Sequence, residues 1–169
     1  MAKEINILYI SLSGNTRDFV RRLTDYYQDL GVVVNSINVR EKPDRQKLTA
    51  PFVTILPAFL NGGNGRDNGY SEILSPALGH YLAYEGNYHR CYGIIGSGNR
   101  NFNRQFALTA KQYAKRFGFP YLTDFELRGS DNDITRIGQL LLERSQAFEE
   151  EQALRKNERI HNPIFTTTI

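Results

Sequence analysis

Between residues 5 and 148, apolar runs typical of buried β-strands alternate with stretches of helical periodicity. This alternation limits the possible folds more than any other feature of the chain. The strand-like runs cover residues 5–9, 32–39, 52–56, 90–95 and, in two parts, 120–123 and 125–127. The helical periods cover residues 19–30, 74–84, 106–117 and 134–148. The pattern predicts an α/β fold with a parallel sheet and helices on both faces, and ligands of such sheets bind at the carboxyl ends of the strands.

Length and composition predict one cytoplasmic globular domain. The 169 residues can bury a single core, and no apolar run is long enough to span a membrane. The single cysteine, Cys91, lies in an apolar run, which predicts a buried, inert thiol and fits a reducing compartment. We expect residues 1–148 to form the globular domain and residues 149–169 to form a charged helical extension with a disordered tail. The net charge of +3 is modest, and the aromatic residues at 113–119 recur with helical spacing, which disfavours a nucleic-acid platform.

A turn rich in hydroxyl groups, called the hydroxyl turn below, joins the first predicted strand to the first predicted helix. It consists of Ser11, Leu12, Ser13, Gly14, Asn15 and Thr16. Free backbone N–H groups and the positive end of the helix dipole favour an anion at such a helix start. Serine and threonine hydroxyls can donate to phosphate oxygens, and glycine lets the backbone approach the ligand. The turn therefore predicts a phosphate site, with an ordinary helix capped by Asn15 and Asp18 as the alternative.

Two common phosphate-binding motifs are absent from this turn. The chain has no Gly-x-x-x-x-Gly-Lys-Ser/Thr sequence and no lysine between Lys3 and Lys42, which argues against a nucleoside-triphosphate P-loop. No Gly-x-Gly-x-x-Gly follows the first strand, which argues against a dinucleotide site there. A hydroxyl-rich turn without lysine suits the monophosphate of a larger ligand.

Two further segments follow the third and fourth predicted strands and are also suited to contact a ligand through their backbone. Residues 58–70 contain four glycines and three asparagines, bracketed by Phe59 and Tyr70. Either aromatic side chain could stack on a flat ring, or could simply cover the edge of the core. Residues 96–103 carry two glycines that match only part of a dinucleotide motif. Three such segments at the ends of strands one, three and four strengthen the prediction of a phosphate site.

Together these segments resemble the flavodoxin-like family, and more closely the NrdI family, the small flavodoxins that serve class Ib ribonucleotide reductase. The hydroxyl turn is similar to the flavodoxin loop that binds the phosphate of FMN. The stretch from Gly98 to Phe102 and the stretch from Phe125 to Ser130, with Asp133, are similar to NrdI sequences. The resemblance extends from about Ile5 to Leu142.

The resemblance implies a flavodoxin-like, doubly wound sheet of five parallel strands in the order 2-1-3-4-5, with FMN as cofactor. Besides the six residues of the hydroxyl turn, the implied FMN-binding residues are Pro57, Ala58, Phe59, Leu60, Asn61, Gly62, Tyr70, Ser97, Gly98, Asn99, Asn101 and Phe102. The family's chemistry implies that reduced FMN reacts with dioxygen to give superoxide. The superoxide is passed to the dimanganese site of the small reductase subunit, NrdF, which then forms its tyrosyl radical. A separate partner, which the sequence does not identify, would reduce the flavin, and no catalytic or metal-binding side chain, nucleic acid or membrane is expected.

The sequence departs from the family's pattern at two places, and other functions stay open. Many NrdI chains have a compact glycine turn where this chain has residues 59–70, and Asn103 stands where glycine is common. In the segments beside the flavin ring, Arg66, Arg100 and Arg104 outnumber Asp67, which predicts a site that tolerates the anionic, two-electron-reduced flavin. The alternatives are a general electron-transfer flavodoxin and a flavin-free binding module on the same fold.

Overall fold

A computed structural model of the chain describes residues 4–11, 13–42, 44–57, 77–98 and 108–161. Its strands are β1 (Glu4–Tyr9), β2 (Val33–Asn38), β3 (Phe52–Pro57), β4 (Cys91–Gly98) and β5 (Tyr121–Glu126). Its helices are α1 (Asn15–Asp29), α2 (77–83), α3 (Leu108–Phe117) and α4 (Asp131–His161). A 3-10 segment, Tyr84–Arg90, joins α2 to β4. Among these described helices, none has the length and apolar character needed to cross a bilayer.

The five strands form one parallel sheet in the order β2-β1-β3-β4-β5, which confirms the predicted fold class and strand order. The chain passes from β1 outward to β2 and then returns to the other side of β1 to form β3. Connections therefore leave the ends of β1 and β3 in opposite directions. In parallel sheets such a switch point opens a crevice at the carboxyl ends of the two strands, where ligands bind.

Helices cover both faces of the sheet because each strand presents apolar side chains to both sides. Ile5 and Ile7 of β1 face α1 and α4, whereas Leu8 and Ile10 face the side of α2 and α3. On the α1 and α4 side, the buried helix residues are Phe19, Val20, Leu23, Tyr27, Ile134, Ile137 and Leu141. On the opposite side they are Leu78, Tyr81, Leu82, Ala110 and Tyr113. These residues recur every three or four positions, as the sequence pattern predicts for helices with one buried face.

The pairing register of β4 is irregular against both of its neighbouring strands, β3 and β5. β4 carries an extra residue, Tyr92, opposite the Phe52–Val53 step of β3. β5 carries an extra residue, Leu122, opposite the Ile94–Ile95 step of β4. A Cβ atom placed on Gly93 would lie 2.4 Å from Cγ of Leu122. Glycine is therefore required at position 93 by close approach of the neighbouring strand.

Several predicted boundaries are wrong, and each difference has a physical reason. β4 continues through 96–98, which the sequence assigned to a glycine-rich loop, because Gly96 pairs with β3 on one side and β5 on the other. β5 is continuous because Asp124, at the predicted interruption, pairs with Gly96 of β4; its carboxylate also accepts a hydrogen bond from the Tyr121 hydroxyl at 2.7 Å. Pro57 belongs to β3 as its last residue, where a missing N–H costs the strand ladder little.

The last helix, α4, includes the predicted apolar period and continues into the residues expected to form a charged helical extension. It begins at Asp131, after Ser130, and extends through the predicted boundary at residue 148 to His161. Ser130 and Asp133 form a reciprocal cap, in which the Ser130 N–H donates to Oδ2 of Asp133 (2.9 Å) and the Asp133 N–H donates to Oγ of Ser130 (3.1 Å). The division into a globular domain and an extension stays a prediction.

Candidate functional site

The carboxyl ends of β1, β3 and β4 lie side by side and form the candidate site. Beyond the end of β1, the Ile10 N–H donates to the Ile55 carbonyl oxygen at 3.4 Å, which carries the start of the hydroxyl turn along the end of β3. Pro57 and Ser97 are directly paired at the ends of β3 and β4. The structure therefore brings the beginning of the hydroxyl turn to the same sheet edge as three other predicted site residues, Pro57, Ser97 and Gly98.

Three hydroxyl side chains at this edge are buried, which is unusual for serine and threonine. Ser11, Thr16 and Ser97 are 4%, 2% and 2% exposed, whereas Ser13 is exposed. Oγ of Ser11 accepts a hydrogen bond from the backbone N–H of Arg17 at 3.2 Å. Because the oxygen serves as the acceptor, the Ser11 O–H can donate to a further group.

The start of α1 does not have the Asn15 and Asp18 cap that the alternative predicted. The N-cap residue is Gly14, with φ of 92° and no side-chain cap hydrogen bond, and Asn15 is already the first helical residue. Asp18 does not cap the helix because its carboxylate accepts hydrogen bonds from Arg21 and Arg22, each at 2.9 Å. The bond from Arg21 is the main cause of the lowered pKa of Asp18. Because Ser11 takes the Arg17 N–H, the first-turn N–H groups that could bind an anion are those of Asn15 and Thr16.

The backbone at Gly14, at the start of α1, leaves space as well as hydrogen-bond donors. A Cβ atom added to Gly14 would meet no atom of the described residues within 4 Å. The positive φ at this position, rather than crowding, is what favours glycine here. The backbone at Gly14 and Asn15 and the buried hydroxyl of Thr16 thus offer donors whose chemistry fits a phosphate group.

Charged residues from the β2–β3 connection flank the hydroxyl turn, and sequence reasoning missed them. Nη1 of Arg40 donates to the Ser11 carbonyl oxygen at 3.3 Å. The Arg17 guanidinium forms an ion pair with Glu41. Burial is the main cause of the raised pKa of the nearby Tyr9 hydroxyl, with Glu41 raising it further and Arg17 opposing. The sequence did contain one signal for Arg40, which is its position directly after β2. The predicted strand order places the carboxyl end of β2 beside that of β1, where the hydroxyl turn begins.

The remaining predicted site residues lie outside the described residues and stay predictions. These are Leu12, Ala58, Phe59, Leu60, Asn61, Gly62, Tyr70, Asn99, Asn101 and Phe102. The same holds for Arg66, Asp67, Arg100 and Arg104, on which the predicted tolerance of reduced flavin rests.

Cys91 lies at the opposite, amino-terminal end of β4 and takes no part in the site. Its thiol is buried, and burial raises its pKa to about 12. Sγ of Cys91 lies 3.5 Å from Oγ1 of Thr54 and donates to the carbonyl oxygen of Gly93 at 3.2 Å. The predicted burial of the thiol is confirmed, and its inertness stays a prediction. In the part of the chain that the structure describes, no three histidine, cysteine or carboxylate side chains lie close enough together to hold a metal ion.

Comparison with solved structures supports the fold. The chain is similar to oxidised flavodoxin 1 from Bacillus cereus, with a TM-score of 0.56 and 12% sequence identity over 85% of this chain and 97% of that one. It is also similar to a short-chain flavodoxin associated with a bacterial microcompartment, with a TM-score of 0.51 and 16% identity over 83% of this chain and 95% of that one. At these identities the likeness shows a shared fold and nothing of function.

Sequence comparison identifies the family. Residues 7–139 match the family model described as NrdI flavodoxin-like. A protein of Streptococcus pyogenes serotype M3 described as NrdI-like is 54% identical over 144 residues, which cover 84% of this chain and 90% of that protein. Protein NrdI of Bartonella bacilliformis is 32% identical over 128 residues, which cover 76% of this chain and 87% of that protein. The chain therefore belongs to the NrdI family of flavodoxin-like proteins.

Proposed function

We propose that this protein binds FMN and, in its reduced state, supplies superoxide to the dimanganese site of NrdF, the small subunit of a class Ib ribonucleotide reductase. Membership of the NrdI family supports a flavin cofactor and an association with ribonucleotide reductase. The single structural observation that carries the proposal is the glycine N-cap of α1, beside buried hydroxyl groups at the switch point of the sheet. A cytoplasmic location is part of the same proposal.

The chain's own residues would bind and orient the cofactor. The hydroxyls of Ser11 and Thr16 and the first-turn N–H groups of α1 would hold the phosphate, with Gly14 leaving room for it. The phosphate would then lie beside β1, and the rest of the cofactor would extend along the sheet edge past Pro57 toward Ser97 and Gly98. The chemistry that FMN would supply when bound here is the one-electron reduction of dioxygen to superoxide by its two-electron-reduced form. A separate reducing partner and an NrdF-type subunit complete the proposal.

Removing the Thr16 hydroxyl tests the phosphate site directly. Thr16→Val keeps the volume of this buried side chain, and we expect it to raise the dissociation constant for FMN by about tenfold or more, the factor for losing a hydrogen bond to a charged group. Riboflavin, which lacks the phosphate, should bind the variant and the wild type equally. Thr24→Val is the matched control because Thr24 lies two turns further along α1, where its Oγ1 donates to the Val20 carbonyl oxygen at 2.7 Å.

The reductase-linked activity needs its own measurement. Reduced, FMN-loaded protein is mixed with dioxygen and manganese-loaded NrdF, and electron paramagnetic resonance records the tyrosyl radical. We expect radical formation only when all components are present. Purified protein that takes up no FMN would contradict the cofactor assignment. Uptake of FMN without radical formation would favour a general electron-transfer flavodoxin.

A further inference from the structure

Leu127 follows β5 directly, at the same sheet edge as the candidate site, and its backbone is strained. Its φ is 54°, and in the part of the chain that the structure describes Glu85 is the only other residue besides glycines with a positive φ. A leucine in this region is unfavourable because its Cβ crowds the following carbonyl oxygen. Strain of this kind persists only where surrounding contacts enforce it, and it concentrates at functional sites and around bound ligands.

Hydrogen bonds on several sides hold the turn that contains Leu127. The Leu127 N–H donates to the carbonyl oxygen of Gly98, the last residue of β4, at 2.8 Å. The Gly129 N–H donates to the Glu126 carbonyl oxygen at 2.8 Å, which closes the turn. Nη2 of Arg22, from α1, donates to the Gly129 carbonyl oxygen at 2.6 Å. The turn is therefore fixed relative to the end of β4 and to α1.

Packing in the core does not account for the strain at Leu127. The residue is 48% exposed, and it is not among the described residues of either buried cluster that flanks the sheet. Glycine or asparagine would adopt the positive φ at lower cost. The contacts within the chain thus explain the position of this backbone but not the presence of a large apolar side chain on it.

The candidate site has donors for a phosphate but little apolar surface for a ring. Of the predicted site residues that the structure describes, only Pro57 has an apolar side chain. A flavin combines a polar ribityl phosphate with a flat ring system, and sites for such cofactors are lined mostly by apolar groups. The proposed path of FMN runs from the phosphate beside β1, past β3, to the end of β4. Leu127 lies one strand further along that path and is bonded to the residue that ends β4.

We infer that Leu127 lines the ring end of the flavin site, where its strained backbone holds an apolar side chain against the ring. This rests on the proposed flavin site and adds a residue from the turn after β5, outside the segments predicted to bind FMN. A contact with the ring serves phosphorylated and unphosphorylated flavins alike. Leu127 therefore differs from Thr16, whose loss should affect FMN alone.

The first test compares dissociation constants for FMN and riboflavin, measured by fluorescence titration of the apoprotein. Leu127→Gly removes the contact, and both constants should rise by about threefold to tenfold, the scale for burying about half of a leucine side chain. Leu127→Met keeps an apolar side chain and should bind both ligands nearly as the wild type does. Leu30→Gly is the matched control because Leu30 is 49% exposed at the opposite end of α1, and it should leave both constants unchanged.

The melting temperature of the apoprotein separates a binding role from a structural one. Glycine relieves the strain at position 127, and this relief offsets its greater freedom in the unfolded chain. The melting temperature of Leu127→Gly should therefore lie no more than about 2 °C below that of the wild type. A melting temperature that falls further, together with weaker flavin binding, would assign Leu127 a structural role and overturn the inference.

Thiol labelling reports the contact directly. Cys91 is buried, so in folded Leu127→Cys a maleimide reacts at position 127. FMN and riboflavin should each slow this reaction, and neither should slow the labelling of Leu30→Cys. Labelling that flavin does not slow would overturn the inference.

The remaining outcomes separate this inference from the proposed function. Wild-type constants for both ligands in Leu127→Gly would overturn the inference and favour a protein partner at this position. A loss for FMN alone would also overturn it, since that result places the effect at the phosphate. If Thr16→Val weakens FMN binding and Leu127→Gly does not, the proposed function stands without the ring contact. A wild type that binds neither ligand would remove the proposed function and the ring contact together.

Discussion

Replacing Gly93 with alanine should destabilise the contact between β4 and β5. A Cβ at position 93 would lie 2.4 Å from Cγ, 2.5 Å from Cδ1 and 2.8 Å from Cδ2 of Leu122. Rotation about χ2 moves only the two methyl groups, so it leaves the shortest of these contacts unchanged. Leu122 must therefore adopt another χ1 rotamer, or β5 must move away from β4 at its bulge.

The expected cost follows from the kind of strain involved. Inserting a methyl group into a packed contact typically costs about 1–3 kcal/mol, and we expect about 2 kcal/mol here because the central carbon of the side chain is displaced. For a chain of this length, a loss of about 2 kcal/mol lowers the melting temperature by about 4–8 °C. Urea denaturation with a constant m-value would show that the folded state, rather than the unfolded chain, is affected.

A double-mutant cycle with Leu122→Ala tests the stated cause. Leu122→Ala alone should cost about 2 kcal/mol, at the low end for large-to-small substitutions, because Leu122 is only partly buried. The double variant removes the clash, so its loss should be smaller than the sum of the single losses by about 1 kcal/mol or more. Additive losses would refute the reasoning, as would wild-type stability of Gly93→Ala.

Three further predictions concern stability and reactivity. Tyr27→Phe removes the buried hydrogen bond from the Tyr27 hydroxyl to the Gly138 carbonyl oxygen (2.7 Å), and should lower the free energy of unfolding in urea by about 1 kcal/mol; an unchanged value would contradict a net contribution from this bond. The Cys91 thiol, with its pKa raised to about 12 by burial, should not react with Ellman's reagent at pH 8 until the protein is unfolded, and rapid native-state labelling would contradict this burial. Burial opposes the charged form of Asp133, but hydrogen bonds such as that from the Ser130 N–H outweigh this and lower its pKa, so the cap stabilises the fold above the ordinary aspartate pKa. Asp133→Ala should therefore cost about 1 kcal/mol at pH 7 and progressively less below about pH 4, and a difference independent of pH would contradict the assignment.

The fold could be predicted from sequence because its determinants are local. Apolar residues spaced three or four apart, as in Phe19 and Leu23, fix a helix face without reference to the rest of the chain. The ends of β4 could not be predicted in this way. Gly96, Ser97 and Gly98 have the composition of a loop, and they are strand residues only because β3 and β5 pair with them from both sides. Such pairing over long sequence separations overrides local preference.

The candidate site was also predictable only in its local part. The hydroxyl turn is contiguous in sequence, so its character was visible without a structure. Arg40 contacts Ser11 across 29 positions, and that contact depends on β2 lying next to β1. Nothing in the composition of the β2–β3 connection distinguishes Arg40 from Arg45. Only the structure separates the arginine beside the turn from the one further along the connection.

The two helix starts that the structure describes in most detail, those of α1 and α4, differ in a way that supports a ligand at the first. The start of α4 is closed by the reciprocal bonds of Ser130 and Asp133. The start of α1 is rich in the same residue types, yet its N-cap is a glycine with φ of 92° that makes no side-chain cap hydrogen bond, and Oγ of Ser11 takes only the N–H of Arg17. A side-chain cap at the N-cap position stabilises a helix by about 1 kcal/mol, and α1 lacks that cap because glycine stands there. Loss of local stability is expected where donors are kept for a ligand, and the buried hydroxyls of Ser11 and Thr16 beside the same helix end point to that explanation.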